Sequence, residues 1–327
     1  MAFYLILCLI PLITSLLLGN PIINLLKSLS AKQTIREDGP PDHIKRKSQT
    51  PTIGGLIFLI PVFAITLSIL IIKKDFQFQT LDLAVVLLAT LVMAVLGFID
   101  DYLKVVKKHN KGVSGWIKLF IQFLISLGIC FLYKEGNVLF YLIWVFFIFS
   151  GSSNSYNLTD GLDGLLGSIS IVSLIGFSFL FHNYNKPELL LISIVSIGSL
   201  TGFLYFNKHP AKVFMGDTGS LAIGALVGSL AIVTKTELYL ICFATIPILE
   251  ALSVILQVVS CQLSKKFLGV DKRIFKMAPL HHHFELVGWK ETDIVKRFFI
   301  FQVICMLIGV LILVFAVSPH RPIAGSF

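Results

Sequence analysis

Charge is what this sequence has least of. Only 14% of its 327 residues are Asp, Glu, Lys or Arg, roughly half the share found in soluble domains. A water-soluble globule and an intrinsically disordered chain are both excluded, since neither stays solvated with so little charge. Thiols are scarce too. Cys8, Cys130, Cys242, Cys261 and Cys305 sit in or beside apolar runs, with no CxxC or Cys/His spacing. That pattern excludes a disulfide framework and a thiolate zinc site. No internal repeat and no low-complexity linker is visible, so a single domain over residues 1–327 is expected. No basic residue precedes the first apolar run; the first is Lys27. That run is therefore expected to be a retained helix and not a cleaved secretory signal.

What the chain does have is apolar length. Hydrophobic residues make up 56%, with 28 Phe, and the mean hydropathy is +0.87. Spans of about 20 apolar residues cross a bilayer. Ten candidates lie near 2–19, 53–72, 81–99, 117–133, 138–153, 165–182, 188–206, 218–234, 238–260 and 299–317, the fifth and eighth being short. Of the 27 Lys and Arg residues, 21 fall in one set of alternating loops and six in the other. Basic loops face the cytoplasm, so the expected fold is an all-α polytopic membrane protein with both termini outside. The net charge of +9 is then mostly topological and calls for no nucleic acid. It also suits anionic lipid and phosphorylated substrates.

The distinctive polar residues collect on the basic side. Asp100 and Asp101 follow directly on the third apolar run. Two acids there are costly unless they hold a cation or face water, and the helix dipole opposes them as well. Residues 157–164 (NLTDGLDG) place Asn157, Asp160 and Asp163 three apart, a spacing that fans them over one side of a helical turn. Gly161 and Gly164 let the backbone approach a ligand. The order of ligands is wrong for a calcium loop, and a plain polar turn is the competing reading. Residues 216–220 (GDTGS) open the eighth run, where free N–H groups and a helix dipole can meet phosphate. A helix N-cap and nothing more is the competing reading for Asp217. His281, His282 and His283 are consecutive. Adjacent side chains diverge, so imidazoles holding a diphosphate or a carboxylate are expected in place of one shared metal. Glu250, on the ninth run, is an intramembrane acid and so a candidate on that ground alone, with a buried interhelical hydrogen bond as its plainer role.

Carboxylates, amides, lysines and imidazoles with few thiols suit Mg²⁺ or Mn²⁺ and not zinc or copper, and together they are the inventory of phosphoryl transfer. Its place at a bilayer surface implies a lipid substrate. The motifs at 51–55 (PTIGG), 100–104 (DDYLK), 157–164, 214–221 (FMGDTGSL) and 278–285 (APLHHHFE) resemble those of the phospho-N-acetylmuramoyl-pentapeptide transferases. These form a branch of the polyprenyl-phosphate N-acetylhexosamine-1-phosphate transferase superfamily. The resemblance runs over essentially the whole chain, with Ile53 standing where the family usually has Met.

That resemblance implies a ten-helix enzyme of the bacterial cytoplasmic (inner) membrane, with periplasmic termini and a cytoplasmic active site. It implies Mg²⁺-dependent transfer of phospho-MurNAc-pentapeptide from UDP-MurNAc-pentapeptide to undecaprenyl phosphate, giving lipid I and UMP. By motif position, Asp217 would bind the metal, and Asp100 would act on the lipid phosphate with Asp101 beside it. Asn157, Asp160, Gly161, Leu162 and Asp163 would line the nucleotide pocket, helped by Asn207 and by Phe214 stacking on uracil. Lys47, Thr52, Gln257, Ala278, His281 and His282 match other positions of the family's cleft. Whether the chain pairs as a homodimer is left open. Two other readings remain at this stage. One is a sister transferase moving GlcNAc-1-phosphate, which the triple histidine disfavours. The other is a transporter, which would place its acids near the midplane and often show paired repeats.

Overall fold

The computed structural model describes residues 2–29, 50–72, 80–105, 112–133 and 136–316. Among these the chain is helical throughout. The long helices are α1 (Ala2–Ser28), α2 (Leu56–Ile72), α3 (Thr80–Val105), α4 (Gly115–Tyr133), α5 (Val138–Thr159), α6 (Leu165–Asn183), α7 (Pro187–Asn207) and α8 (Gly216–Val233). A 3₁₀ turn at Glu237–Tyr239 and the one-turn α9 (Leu240–Phe243) lead into α10 (Thr245–Leu268). The amphipathic α11 (Leu280–Val287) and the last span, α12 (Glu291–Ala316), complete the fold. Nine of these helices are at least 18 residues long and apolar enough to cross a membrane, and α2 is apolar but has 17 residues. The protein is thus a polytopic membrane protein, and helices are the way such a chain satisfies its backbone in lipid.

A helix lies at each of the ten expected apolar runs, with different edges, and nine of the ten are long enough to count as spans. The fifth and eighth are full length, at 22 and 18 residues. The second is the short one, because residues 51–55 are diverted before the helix starts. Phe214 donates its N–H to the Pro51 carbonyl (2.9 Å), while Gly54 and Gly55 donate to Phe214 and Met215 (2.8 and 2.9 Å). The ninth span, expected to be continuous over 238–260, breaks at Ala244. Pro247 explains the break, since it lacks an N–H and its ring clashes with the carbonyl four residues back. Gln302 of α12, fully buried, repairs the exposed backbone. Its Oε1 accepts from Ile246 N–H (2.9 Å), and its Nε2 donates to the Cys242 and Phe243 carbonyls (3.2 and 2.9 Å).

Helix α8 is the axis of the bundle: every residue from Thr218 to Val233 is buried. It is rich in Gly, Ala and Ser, which lets neighbouring backbones come close without lipid between them. Helices α3 and α5 lie along it, α1 and α6 pack on α7, and α4 sits outside α5. The approach of α3 to α8 depends on Gly97, where a Cβ would collide with the carbonyl oxygen of Asp217. That contact fixes the end of α8 against the end of α3, and the candidate site forms there.

Candidate active site

Asp100 and Asp101 come from the last turns of α3, and Asp217 from the first turn of α8. One carboxylate oxygen from each lies within 4.8 Å of the others. Asp100 and Asp101 are buried, and the Asp217 side chain is 16% exposed. Two lysines bridge the outer pair of acids. Lys118 Nζ, from α4, lies 2.6 Å from Asp217 Oδ2 and 3.2 Å from Asp100 Oδ1. Lys104 Nζ lies 3.2 Å from Asp217 Oδ2 and also pairs with Asp100, one helical turn before it. Val113 adds a backbone N–H to Asp100 Oδ1 at 2.7 Å. Among the described residues, three carboxylates face two ammonium groups, a set of oxygen donors that a hard cation can use.

Asp101 has a separate task. Its Oδ1 accepts from the Asp217 N–H (3.1 Å), and its Oδ2 accepts from the Thr218 N–H and hydroxyl (2.9 and 2.7 Å). The expectation that Asp217 caps its own helix, or leaves those N–H groups free for phosphate, is therefore corrected. The anion at the α8 N-terminus is Asp101, reaching across from α3, and it complements the helix dipole. Gly216, at φ 73°, makes the turn that brings these N–H groups round. Thr52 is buried against Gly216. Asn157 holds the other side, with Nδ2 donating to Asp217 Oδ1 (2.9 Å) and Ser220 Oγ (2.8 Å).

The segment after Asn157 does not fan over one helical face, as its spacing had led us to expect. Helix α5 stops at Thr159, and Asp160 is its C-cap, with its N–H on the Asn157 carbonyl. Gly161 lies under His281, where any Cβ would collide with the imidazole Nε2. The Leu162 side chain turns into a small apolar core with Leu165, Ile169, Ile246, Ile294 and Phe298. Asp163 leaves the acidic cluster and joins a group with His209 and Glu291. Its Oδ2 accepts from Ala211 N–H (3.0 Å) and faces His209 Nδ1 (3.2 Å), while its own N–H donates to Glu291 Oε1 (2.6 Å). The reason is that five glycine-punctuated turn residues, 160–164, follow the helix end, so the period of 3.6 no longer applies.

The remaining candidates form the walls. Asn207 ties two loops, accepting from Gly164 N–H (3.2 Å) and donating to the Val213 carbonyl (3.0 Å). Phe214 is half-buried beside the 51–55 segment. Gln257 Oε1 accepts from Ile274 and Phe275 N–H groups (3.1 and 3.0 Å), and its Nε2 donates to the Phe275 carbonyl (2.9 Å). Gln257 and Ala278 also line a cavity of about 410 Å³ between α10 and the following loop. The three histidines diverge onto three partners. His281 meets Glu250 (3.1 Å), His282 meets Glu285 (2.8 Å), and His283 Nδ1 accepts from Lys276 N–H (3.1 Å). Lys47 lies outside the described residues. Lys118 was missed as a site residue and counted only as loop charge. Its one signal in the sequence is a lysine just inside an apolar run.

Comparison with known proteins follows the same lines. The family described as Glycosyl transferase family 4 matches residues 83–235, the stretch from α3 through α8. Named relatives extend over nearly all of the chain. The phospho-N-acetylmuramoyl-pentapeptide-transferase of Bacillus subtilis (strain 168) is 38% identical over 314 residues, covering 91% of this chain and 94% of its own. Its namesake in Clostridium novyi (strain NT) is 38% identical over 323 residues, covering 94% and 95%. That of Heliobacterium modesticaldum (strain ATCC 51547 / Ice1) is 39% identical over 91% and 94%. A bundle whose acids and lysines converge at one end, aligned with such relatives almost from end to end, places the chain in the phospho-N-acetylmuramoyl-pentapeptide-transferase family.

Proposed function

We propose that the protein transfers phospho-MurNAc-pentapeptide from UDP-MurNAc-pentapeptide to undecaprenyl phosphate, releasing UMP and forming lipid I. It does so as one integral-membrane domain at the cytoplasmic face of the bacterial inner membrane, with both termini on the other side. The observation that carries this reading is the meeting of Asp100, Asp101 and Asp217 with Lys104 and Lys118 at one end of α3 and α8. The basic bias of the loops on that side supports its orientation.

The donor set fits Mg²⁺, which prefers hard oxygen ligands and takes one or two carboxylates, completing its shell with water and phosphate. Asp217 would hold it, with Asp100 adjacent. When bound, the ion supplies Lewis-acid stabilisation of charge on the phosphoryl group in transfer. The chain's own residues do the rest. Lys104 and Lys118 exchange their carboxylate partners for phosphate oxygens and neutralise the donor diphosphate. Asp101 and Asn157 keep Asp217 in place. Asp100 orients the lipid phosphate and takes its remaining proton, and a phosphate monoester with a second pKa of about 6 has little left to give at neutral pH. One lipid phosphate oxygen bonds to the β-phosphorus of the donor. The bond from that phosphorus to the bridging oxygen breaks, and UMP leaves with the electron pair.

Purified protein incubated with both substrates and Mg²⁺ is expected to release UMP and a lipid-linked product, to stop with EDTA and to resume with added Mg²⁺. Absence of UMP from folded protein, or equal turnover with UDP-GlcNAc, would overturn this assignment.

A further inference from the structure

Helix α4 is held to the bundle by a narrow stripe. Of its 19 residues, four are buried: Gln122, Ser126, Ile129 and Cys130. Trp116 and Phe120 are exposed at its start. Yet α4 delivers Lys118, whose Nζ lies 2.6 Å from Asp217 Oδ2. One turn further into the span, Gln122 is fully buried. Its Oε1 accepts from Asn154 Nδ2 of α5 at 3.2 Å, and that Nδ2 also donates to the Ser150 carbonyl at 2.8 Å. Asn154 lies three residues before Asn157, whose amide holds the other oxygen of Asp217. Two rungs therefore join α4 to α5. The upper one runs Lys118–Asp217–Asn157 and the lower one Gln122–Asn154. Spacings of four and three place each lower residue on the same helix face as the one above it.

The lower rung is costly. Gln122 Nε2 is buried and has no hydrogen-bond partner among the described residues, and such a bare donor costs about 1–3 kcal/mol. Two apolar side chains of the same size would pack α4 on α5 without that cost. Packing alone therefore does not account for the pair. What a hydrogen bond adds is direction: it fixes the rotation and height of one helix against another, which an apolar stripe leaves loose. We propose that Gln122 and Asn154 are positioning residues for the transfer reaction. Their bond sets α4 in register on α5 so that the Lys118 ammonium meets the phosphate oxygens of the nucleotide-linked donor beside Asp217. The inference rests on the transferase reading above. A lysine is a point charge on a flexible stem, so its placement is only as good as that of the helix turn beneath it.

The Q122M/N154L double variant tests this, because it replaces both amides with apolar side chains of similar size. It is made alone and together with Lys118→Ala, and each protein is read for thermal midpoint in detergent, kcat, and equilibrium binding of UDP-MurNAc-pentapeptide. Q122M/N154L is expected to keep or raise the wild-type midpoint. It is expected to bind the donor about fivefold more weakly and to lose about tenfold in kcat. Added to Lys118→Ala, the same two changes are expected to alter donor binding by less than about twofold, because they act through that lysine. Binding completes the cycle even where Lys118→Ala turns over too slowly to follow. Wild-type kcat and donor binding in Q122M/N154L, or losses additive with Lys118→Ala, would overturn the proposal. So would a midpoint that falls in step with activity, since the pair would then be packing alone. Should Q122M/N154L fail to fold, Gln122→Asn, which keeps both amides and shortens one arm, carries the same cycle. Wild-type protein that releases no UMP would sink the transferase reading, whereas normal wild-type turnover with additive losses sinks only the role of the amide pair.

Discussion

Helix α3 carries acids at both ends, and the two ends behave differently. Asp82, in its first turn, accepts from the Tyr133 hydroxyl (2.5 Å) and pairs with Lys186 Nζ (3.1 Å). Among the described residues, that carboxylate meets one ammonium and one hydroxyl. About 27 Å away along the helix, Asp100 and Asp101 meet a third acid, Asp217, and, among the described residues, two lysines. The first end is a clamp between helices. The second gathers three acids around two lysines among the described residues, a set that a cation and phosphates would use. A buried acid is thus informative through the balance of its neighbours more than through its burial.

Substitutions at the two ends should separate these roles. The largest effect is expected from Asp217→Ala, which should cut UMP release by roughly a thousandfold or more while leaving the helix content by circular dichroism intact. Turnover near wild type would remove Asp217 as metal ligand. Asp100→Asn should follow, with a loss of about a hundredfold in kcat; a change confined to KM would assign it to binding alone. Asp101→Asn should show a mixed phenotype, losing about 1–2 kcal/mol of stability through the weakened α8 cap together with part of the turnover. Asp82→Asn should have the smallest effect, with activity unchanged and a cost of about 1 kcal/mol or less, read as a lowered thermal midpoint. Lys186, 26% exposed at its side chain, can then turn to water. If Asp82→Asn abolished turnover as Asp217→Ala does, the contrast between the ends would collapse.

Much of the fold was legible because lipid imposes a simple rule. Each crossing needs a long apolar run, and ten such runs were there to be counted. The misplaced edges have local causes. The 51–55 segment pairs with residues 214–215 before α2 can begin, and Pro247 breaks the ninth run. In the site, Asp100, Asp217 and Asn157 were visible as polar residues beside apolar helices. Less visible was the division of labour among them. Nothing in a row of two aspartates tells that the second caps a helix 117 residues away. Lys118 is 99 residues from Asp217 and Glu250 is 31 from His281. Asp163 shared a motif with Asn157, yet the helix ended between them and sent it to His209.

The sequence by itself determined that the chain lives in a bilayer, where its long apolar helices lie, and which polar motifs sit beside their ends. Those properties follow from transfer free energies, which add residue by residue. Only the tertiary structure decided which acid faces which lysine, which carboxylate caps α8, and which amide nitrogen stays bare. Such pairings depend on two backbones meeting within hydrogen-bonding distance. At Gly97 that meeting turns on a single absent Cβ.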